Sequence, residues 1–437
     1  MNLRPPSSAP SSPPASPSGL PDARQGPWGP LAAGTPGPAL LDALRTARRN
    51  RNLLLLRVAH RHHRADPDWA AAVALLAEVR RARPAVHAEL WGGPEAGAWL
   101  ARLAAAGPPA GGDTTGHLPA DLARFAAAAA LRAGLPFRIR VPVAHGAALV
   151  LPGTGAAVFA APGPRTAIVH RDASGAFVVR DGAPPLPLRA AGASGVAGGA
   201  GVAGVAGGAG DGGAGRWWPV PRLRLGPHAA VRLDTLDPLR LGGPDPLPPR
   251  PLAPDEETAW RRRLQAAWQI LTERHPERAR TIAQTLRVVV PLAGADANGW
   301  RSASFADATG LAALSPVDDP VELAADLVHE TQHSLLYAAM DLAVLLHAPH
   351  GARTEAPWSP RPRPPAALLH GASAFLVTAA FWRTERRLGN PAAERPYTHW
   401  RHTAGSALAT LAAHQEWTTE EGRRLLGALR ALLASWD

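Results

Sequence analysis

Cysteine is absent from the 437 residues. That absence removes disulfides, thiolate zinc sites, iron–sulfur clusters and a cysteine nucleophile from consideration. Any metal site must draw on His, Asp or Glu. Lysine is absent too: all 46 basic residues are arginine, against 35 acidic ones, for a formal charge of +11. With so much Ala, Gly and Pro, this reads first as the codon bias of a GC-rich genome. An excess of this sign favours anionic partners such as an acidic peptide or nucleic acid. The arginines are scattered along the chain without a dense basic tract, so no nucleic-acid partner is expected. No stretch approaches the roughly 20 apolar residues that cross a membrane. The N-terminal "MNLRPPSSAPSSPPASPSGLPDARQGPWGP" lacks the apolar core of a secretory signal. The expectation is a cytoplasmic protein with no membrane partner.

What is present is a globular composition, with 46% hydrophobic residues, long enough for more than one structural unit. Residues 1–35 are Pro/Ser-rich and are expected to be disordered. A helical region is predicted over 36–135, from "LLDALRTARRNRNLLLLRVAHRH", "DWAAAVALLAEVRRARPAVHAELWGG" and "LPADLARFAAAAALRAGL", the last ended by Gly134. Short runs such as "FRIRVPVA", "AALVLPG", "TAIVHRD" and "GAFVVRD" predict a small antiparallel sheet within 136–189. Residues 190–215 form a Gly/Ala/Val low-complexity insertion, read as flexible. The rest, 216–437, holds a strand at "AAVRLDTLDPLR", a helix at "DEETAWRRRLQAAWQILTERHP" with Asp255 as its N-cap, a buried strand at 286–292 and four further helices. The expected fold class is α+β, predominantly helical.

The chemistry concentrates in "DLVHETQHSLLYAAMDL", where His329, Glu330 and His333 form His-Glu-x-x-His. On a helix, i and i+4 share a face one turn apart, so both imidazoles can meet one metal ion. Glu330 lies about 100° round from His329 and can act on a metal-bound water. Asp318 and Asp319 suit the positive end of this helix. The competing explanation is a pair of core histidines that are simply hydrogen-bonded. A third protein ligand is expected. The extended protease pattern, with Gly three and His six positions on, is broken by Leu336 and Ala339. His370, opening the next helix in "ALLHGASAFL", is the better-placed candidate. Glu355 is the other, although it lies in the loop-like "HGARTEAPWSPRPRPP". Arg361 and Arg363 in that Pro-rich loop offer guanidinium forks for a carboxylate, either a peptide C-terminus or a 2-oxo acid.

"LVHETQHSLL…DL", "APW…PRP", "LLHG…F" and "WTTEEGRRLLGALRALLASW" together resemble the HExxH-type peptide β-hydroxylases, over roughly 217–437. The resemblance implies an iron(II)- and 2-oxoglutarate-dependent oxygenase. Its substrate would be a ribosomally synthesised precursor peptide, hydroxylated at a side-chain β-carbon, in a pathway shared with a radical SAM enzyme. It implies His329, His333 and His370 as iron ligands and Glu330 as a supporting residue. Arg363 and Trp358 would lie near the cosubstrate or peptide carboxylate, with Arg361 beside them. The family commonly has an acidic residue where this chain has Arg361, which alters the charge of that loop. Two alternatives stand beside this reading. One is a zinc metallopeptidase with Glu330 as general base. The other is a non-catalytic peptide-binding module with a structural metal.

Overall fold

The structure, a computed structural model, describes residues 26–107, 119–144, 147–189, 215–243, 245–292 and 302–436. The expectations for residues 1–25 and for the insertion at 190–214 fall outside them. Proline, 47 residues of the chain, has a specific use here. Its missing N–H and fixed φ suit the first position of a helix. Among the described residues α1 (Trp28–Ala32) is followed by four helices that each open on Pro: α2 (Pro38–His63), α3 (Pro67–Ala82), α4 (Pro84–Trp91) and α5 (Pro94–Ala106). The sequence predicts one helical stretch over 68–93. Pro84 splits it, because Arg83 before the ring leaves helical geometry at φ −144°. α6 (Leu122–Ala133) ends at Gly134 in the left-handed region, φ 71°.

The β region holds β1 (Phe137–Pro142), β2 (Ala148–Leu151), β3 (Gly155–Val158), β4 (Thr166–Asp172), β5 (Gly175–Val179) and β6 (Leu186–Pro187). It builds two antiparallel sheets where one was expected. One has the order β1-β4-β5-β6; the other is β2-β3 completed by β7 (Arg216–Pro219) from beyond the low-complexity segment. Helices α3 to α6 pack on these strands in one core that includes Trp69, Trp91, Trp99 and Phe125.

The third part is not purely helical. It contains β8 (Arg222–Gly226), β9 (Ala229–Leu233), α7 (Pro254–Arg274), α8 (Pro276–Thr285), β10 (Val288–Pro291), β11 (Ser302–Ala303) and β12 (Leu311–Leu314). The strands form a mixed sheet, β11-β12-β10-β9-β8, in which β10 runs parallel to both neighbours and is buried throughout. That burial on both faces explains its unbroken Val-Val-Val sequence. At the start of α7 the cap is Ala253, not Asp255: the Glu256 carboxylate accepts the Ala253 N–H at 2.9 Å, and Asp255 sits in the first turn.

α9 (Pro320–Met340) carries the His-Glu-x-x-His motif. Asp319 caps it by accepting from the Val321 N–H at 2.8 Å, while Asp318 pairs with Arg263 at 2.8 Å. It ends where Asp341 is drawn to Arg48 at 3.0 Å and Arg51 at 3.6 Å on α2. A hairpin follows, β13 (Thr354–Ala356) and β14 (Ser359–Arg363), where the sequence suggests an irregular loop. Then come α10 (Pro365–Arg387), α11 (Glu394–Ala413) and α12 (Glu420–Ala434). α9 is buried on two sides. Leu323, Leu327 and Val328 meet the core under the mixed sheet; Leu335, Leu336 and Ala339 meet α10 to α12.

Two sequence expectations are corrected by this packing. Residues 28–32, inside the segment expected to be disordered, are the helix α1. Trp28 is 7% exposed, and its indole N–H donates to Glu421 of α12 at 2.7 Å. Secondly, α10 is long and apolar enough to cross a membrane by length and composition, contrary to the reading that no such run exists. In the fold 83% of its most apolar stretch is buried inside the protein. The architecture is the expected α+β, predominantly helical class.

Candidate metal centre

Helix periodicity brings His329 and His333 to one face of α9, and α10 packs beside that face. The Nε2 atoms of His329 and His333 stand 3.2 Å apart. Two nitrogens each about 2.1 Å from a common ion, at that spacing, subtend roughly 100°. This suits adjacent positions of either a tetrahedral or an octahedral centre. His370 on α10 places its Nδ1 3.4 Å from Nδ1 of His333. It therefore meets the opposite edge of the His333 ring. As the side chains stand, no three ligating groups converge on one point among the described residues. His329 and His333 fit a metal. His370 adjoins them and would have to turn its ring to join.

The protonation of the cluster follows from its hydrogen bonds. The Thr378 hydroxyl donates to the Ala374 carbonyl at 2.9 Å, one turn back on α10. Its oxygen is therefore free to accept from His329 Nδ1 at 3.2 Å. That bond keeps the proton on Nδ1 and leaves Nε2 with an open lone pair, as a metal ligand requires. Burial pushes His329 and His333 down to about 4 and His370 to about 3. For His333 the neighbouring His329 adds to burial, against an opposing pull from Glu330. For His370 the neighbouring His333 adds to it. All three rings are neutral at neutral pH. His370 Nε2 and Glu330 Oε2 are buried without a hydrogen-bond partner. Such orphaned buried groups are costly unless a ligand or ion completes them.

Glu330 is 2% exposed, with Oε1 4.0 Å from His329 Nε2. Glu355 is exposed on β13 and forms no hydrogen bond or ion pair with the histidine rings among the described residues. Of the two candidate third ligands, only His370 stands beside the motif histidines. Arg361 and Arg363 are exposed on β14, and neither has a carboxylate partner among the described residues. Trp358 sits at the tip of the hairpin and folds back over α10, where Gly371 leaves room for its ring next to His370.

An aromatic wall surrounds the histidines, and periodicity alone does not announce it. Phe375 lies 5.5 Å from the His329 ring, stacked on Trp400 of α11 at 4.8 Å and edge-on to Trp358 at 4.9 Å. Tyr337 lies 4.0 Å from the His370 ring. Its phenol pKa is raised by burial and by the charges of Glu330 and Asp307. Tyr337 is one turn beyond His333, and Thr378 is two turns beyond His370. Those spacings put both on the faces that carry the histidines, but only the packing of α9 against α10 gives them a role; Trp400 carried no local signal. The chain matches no family model and no curated protein.

Proposed function

We propose that the chain is an iron(II)- and 2-oxoglutarate-dependent oxygenase that hydroxylates a side-chain β-carbon in a ribosomally synthesised precursor peptide. The observation that carries this reading is the neutral histidine trio, His370 buried and His329 and His333 half-buried, with His370 and not Glu355 beside the motif pair. It agrees with the ligand set implied by the resemblance to the HExxH-type peptide β-hydroxylases. Bound iron(II) would supply chelation of the 2-oxo acid and activation of oxygen. The chain's own residues would do the rest. Thr378 holds the His329 ring in its ligating tautomer. Phe375, Trp400 and Trp358 keep water from the cluster and present an apolar wall to a side chain. Arg363 and Arg361, free of carboxylate partners, are available to hold a peptide or cosubstrate carboxylate. In this reading the protein works in the cytoplasm, with a precursor peptide as substrate and a radical SAM enzyme in the same pathway.

A second reading rests on Glu330. Its carboxylate is buried, with Oε1 4.0 Å from His329 Nε2 and Oε2 unpartnered, and a carboxylate so disposed would take a proton from a metal-bound water, which favours a zinc metallopeptidase. One experiment separates the two. The protein is purified without oxygen, loaded with iron(II), and its visible spectrum recorded before and after 2-oxoglutarate. The oxygenase reading expects a weak charge-transfer band that needs both additions, persists in Glu355→Ala and is lost in His370→Ala. No band, with tightly retained zinc and oxygen-independent peptide cleavage abolished in Glu330→Gln, would overturn it in favour of the peptidase.

A further inference from the structure

A cleft of about 450 Å³ opens on another side of α9. Its walls come from α2, α4 with its link to α5, α6, the β8–β9 pair, α8 with its link to β10, the turn before β12 and α9. Seven arginines line it: Arg45, Arg48, Arg49, Arg132, Arg222, Arg232 and Arg287. They come from five separate stretches of the chain, which is why no basic tract is visible in the sequence. Asp42 and Glu89 are the acids among the lining residues.

Some of the charge is matched. Arg45 pairs with Asp42, Arg132 with Glu89 at 2.6 Å, Arg232 with Glu95 at 2.5 Å, and Arg48 with Asp341 at 3.0 Å. Arg49, Arg222 and Arg287 have no carboxylate partner among the described residues. Arg287 instead donates to the carbonyls of Ala283 and Gln284 at 3.2 and 2.9 Å. Burial lowers the Arg287 pKa, and the charges of Arg45, Arg232 and Arg222 lower it further, against an opposing pull from Glu89. Like charges held in a half-closed cleft repel one another, and an anion relieves that repulsion. Guanidinium forks match phosphate and carboxylate oxygens in pairs. The volume lies within the range of small-molecule sites, about 300–1,000 Å³. Walls drawn from several separate parts of the fold enclose a compact ligand better than they track an extended chain.

We propose that this cleft binds a small, multiply charged anion bearing phosphate or carboxylate groups. It is separate from the histidine cluster. α9 contributes Ser334, Leu335 and Ala338 to the cleft, and Ser334 is turned about 100° from His333 round the helix. The Ser334 hydroxyl is engaged by the Gly310 N–H at 3.1 Å. The proposal therefore stands or falls independently of the oxygenase reading.

The test uses the metal-free full chain at low salt. Titration calorimetry and thermal melting are run with inorganic tripolyphosphate, with citrate and with a hexaglutamate peptide. Saturable binding of tripolyphosphate or citrate with a raised melting temperature is expected, and the tighter of the two identifies the group recognised. The double variant Arg49→Gln/Arg222→Gln removes two exposed or half-buried, unpaired guanidiniums and should still fold. It should bind roughly tenfold or more weakly. Arg224→Gln, on β8 but outside the cleft, should bind as the parent does. No saturable binding would overturn the proposal. So would equal losses in Arg224→Gln, which would mean unspecific surface charge. Hexaglutamate binding roughly tenfold tighter than both small anions would also overturn it, making an acidic peptide the ligand.

Discussion

The Thr378 hydroxyl decides which nitrogen of His329 faces His333. It donates to Ala374 and so can only accept from the imidazole. Thr378→Val keeps the shape and removes the acceptor. The expected outcome is a metal affinity lower by roughly 10–100-fold with little change in melting temperature. Thr378→Ser should keep the affinity. Direct iron(II) or zinc titration measures both, without any need for turnover. Equal affinity in all three proteins would mean that the tautomer is set elsewhere. His329 and His333 were legible as a pair from their i, i+4 spacing. Thr378 was not, because its role depends on a contact between two helices.

At the scale of elements, α10 organises the site through close packing at both ends. Near its start, Gly371 gives its missing side chain's space to the Trp358 ring. Gly371→Ala should cost about 1–3 kcal/mol by overpacking and loosen the hairpin. In a Trp358→Ala background the same change should be nearly neutral, because the obstacle is gone. Urea unfolding of the four proteins in this cycle checks the coupling. Toward its other end, Glu385 is wholly buried, accepting from His275 at 2.9 Å and Arg274 at 2.9 Å. The His275 ring stacks on Phe381 at 4.1 Å. This joins α10 to the α7–α8 elbow. Glu385→Ala leaves a buried imidazole without its partner and should lower stability by about 3 kcal/mol, measurable by the same unfolding curves.

Across the whole molecule, the N-terminal helices and the mixed sheet meet at a buried charged junction. Asp234 and Asp237 follow β9, facing Glu95 of α5, Arg124 of α6, and Arg232 and Arg240 from their own segment. Burial, then the charges of Asp234 and Glu95, push Asp237 up from 3.8 to about 7. The folded protein thus holds a proton that the unfolded chain releases between those values. The contribution to stability is complete below 3.8 and is lost as the pH rises toward about 7. Asp237→Asn keeps an acceptor for the Leu239 N–H, bonded at 2.8 Å, and removes the titration. Stability of the variant relative to the parent should therefore improve, by on the order of 1–3 kcal/mol, as the pH is raised from about 4 to 8. Chemical denaturation at several pH values measures this. A difference that stays constant across the range would contradict the assignment.

By itself the sequence determined what is local. Apolar periodicity, the Asp318–Asp319 pair ahead of the motif helix and Gly134 as a stop place α2, α6, α9 and α10 close to their observed bounds. The same periodicity puts His329 and His333 on one face, because a helical turn is encoded within four residues. Only the tertiary structure decided what joins distant segments. It set His370 beside His333 while leaving Glu355 exposed on a hairpin. It brought Trp358, Phe375 and Trp400 together as one wall, and it drew scattered arginines into a single cleft. Those outcomes depend on how α9 packs against α10, α2 and the mixed sheet. No local spacing records them, since each contact joins residues tens of positions apart.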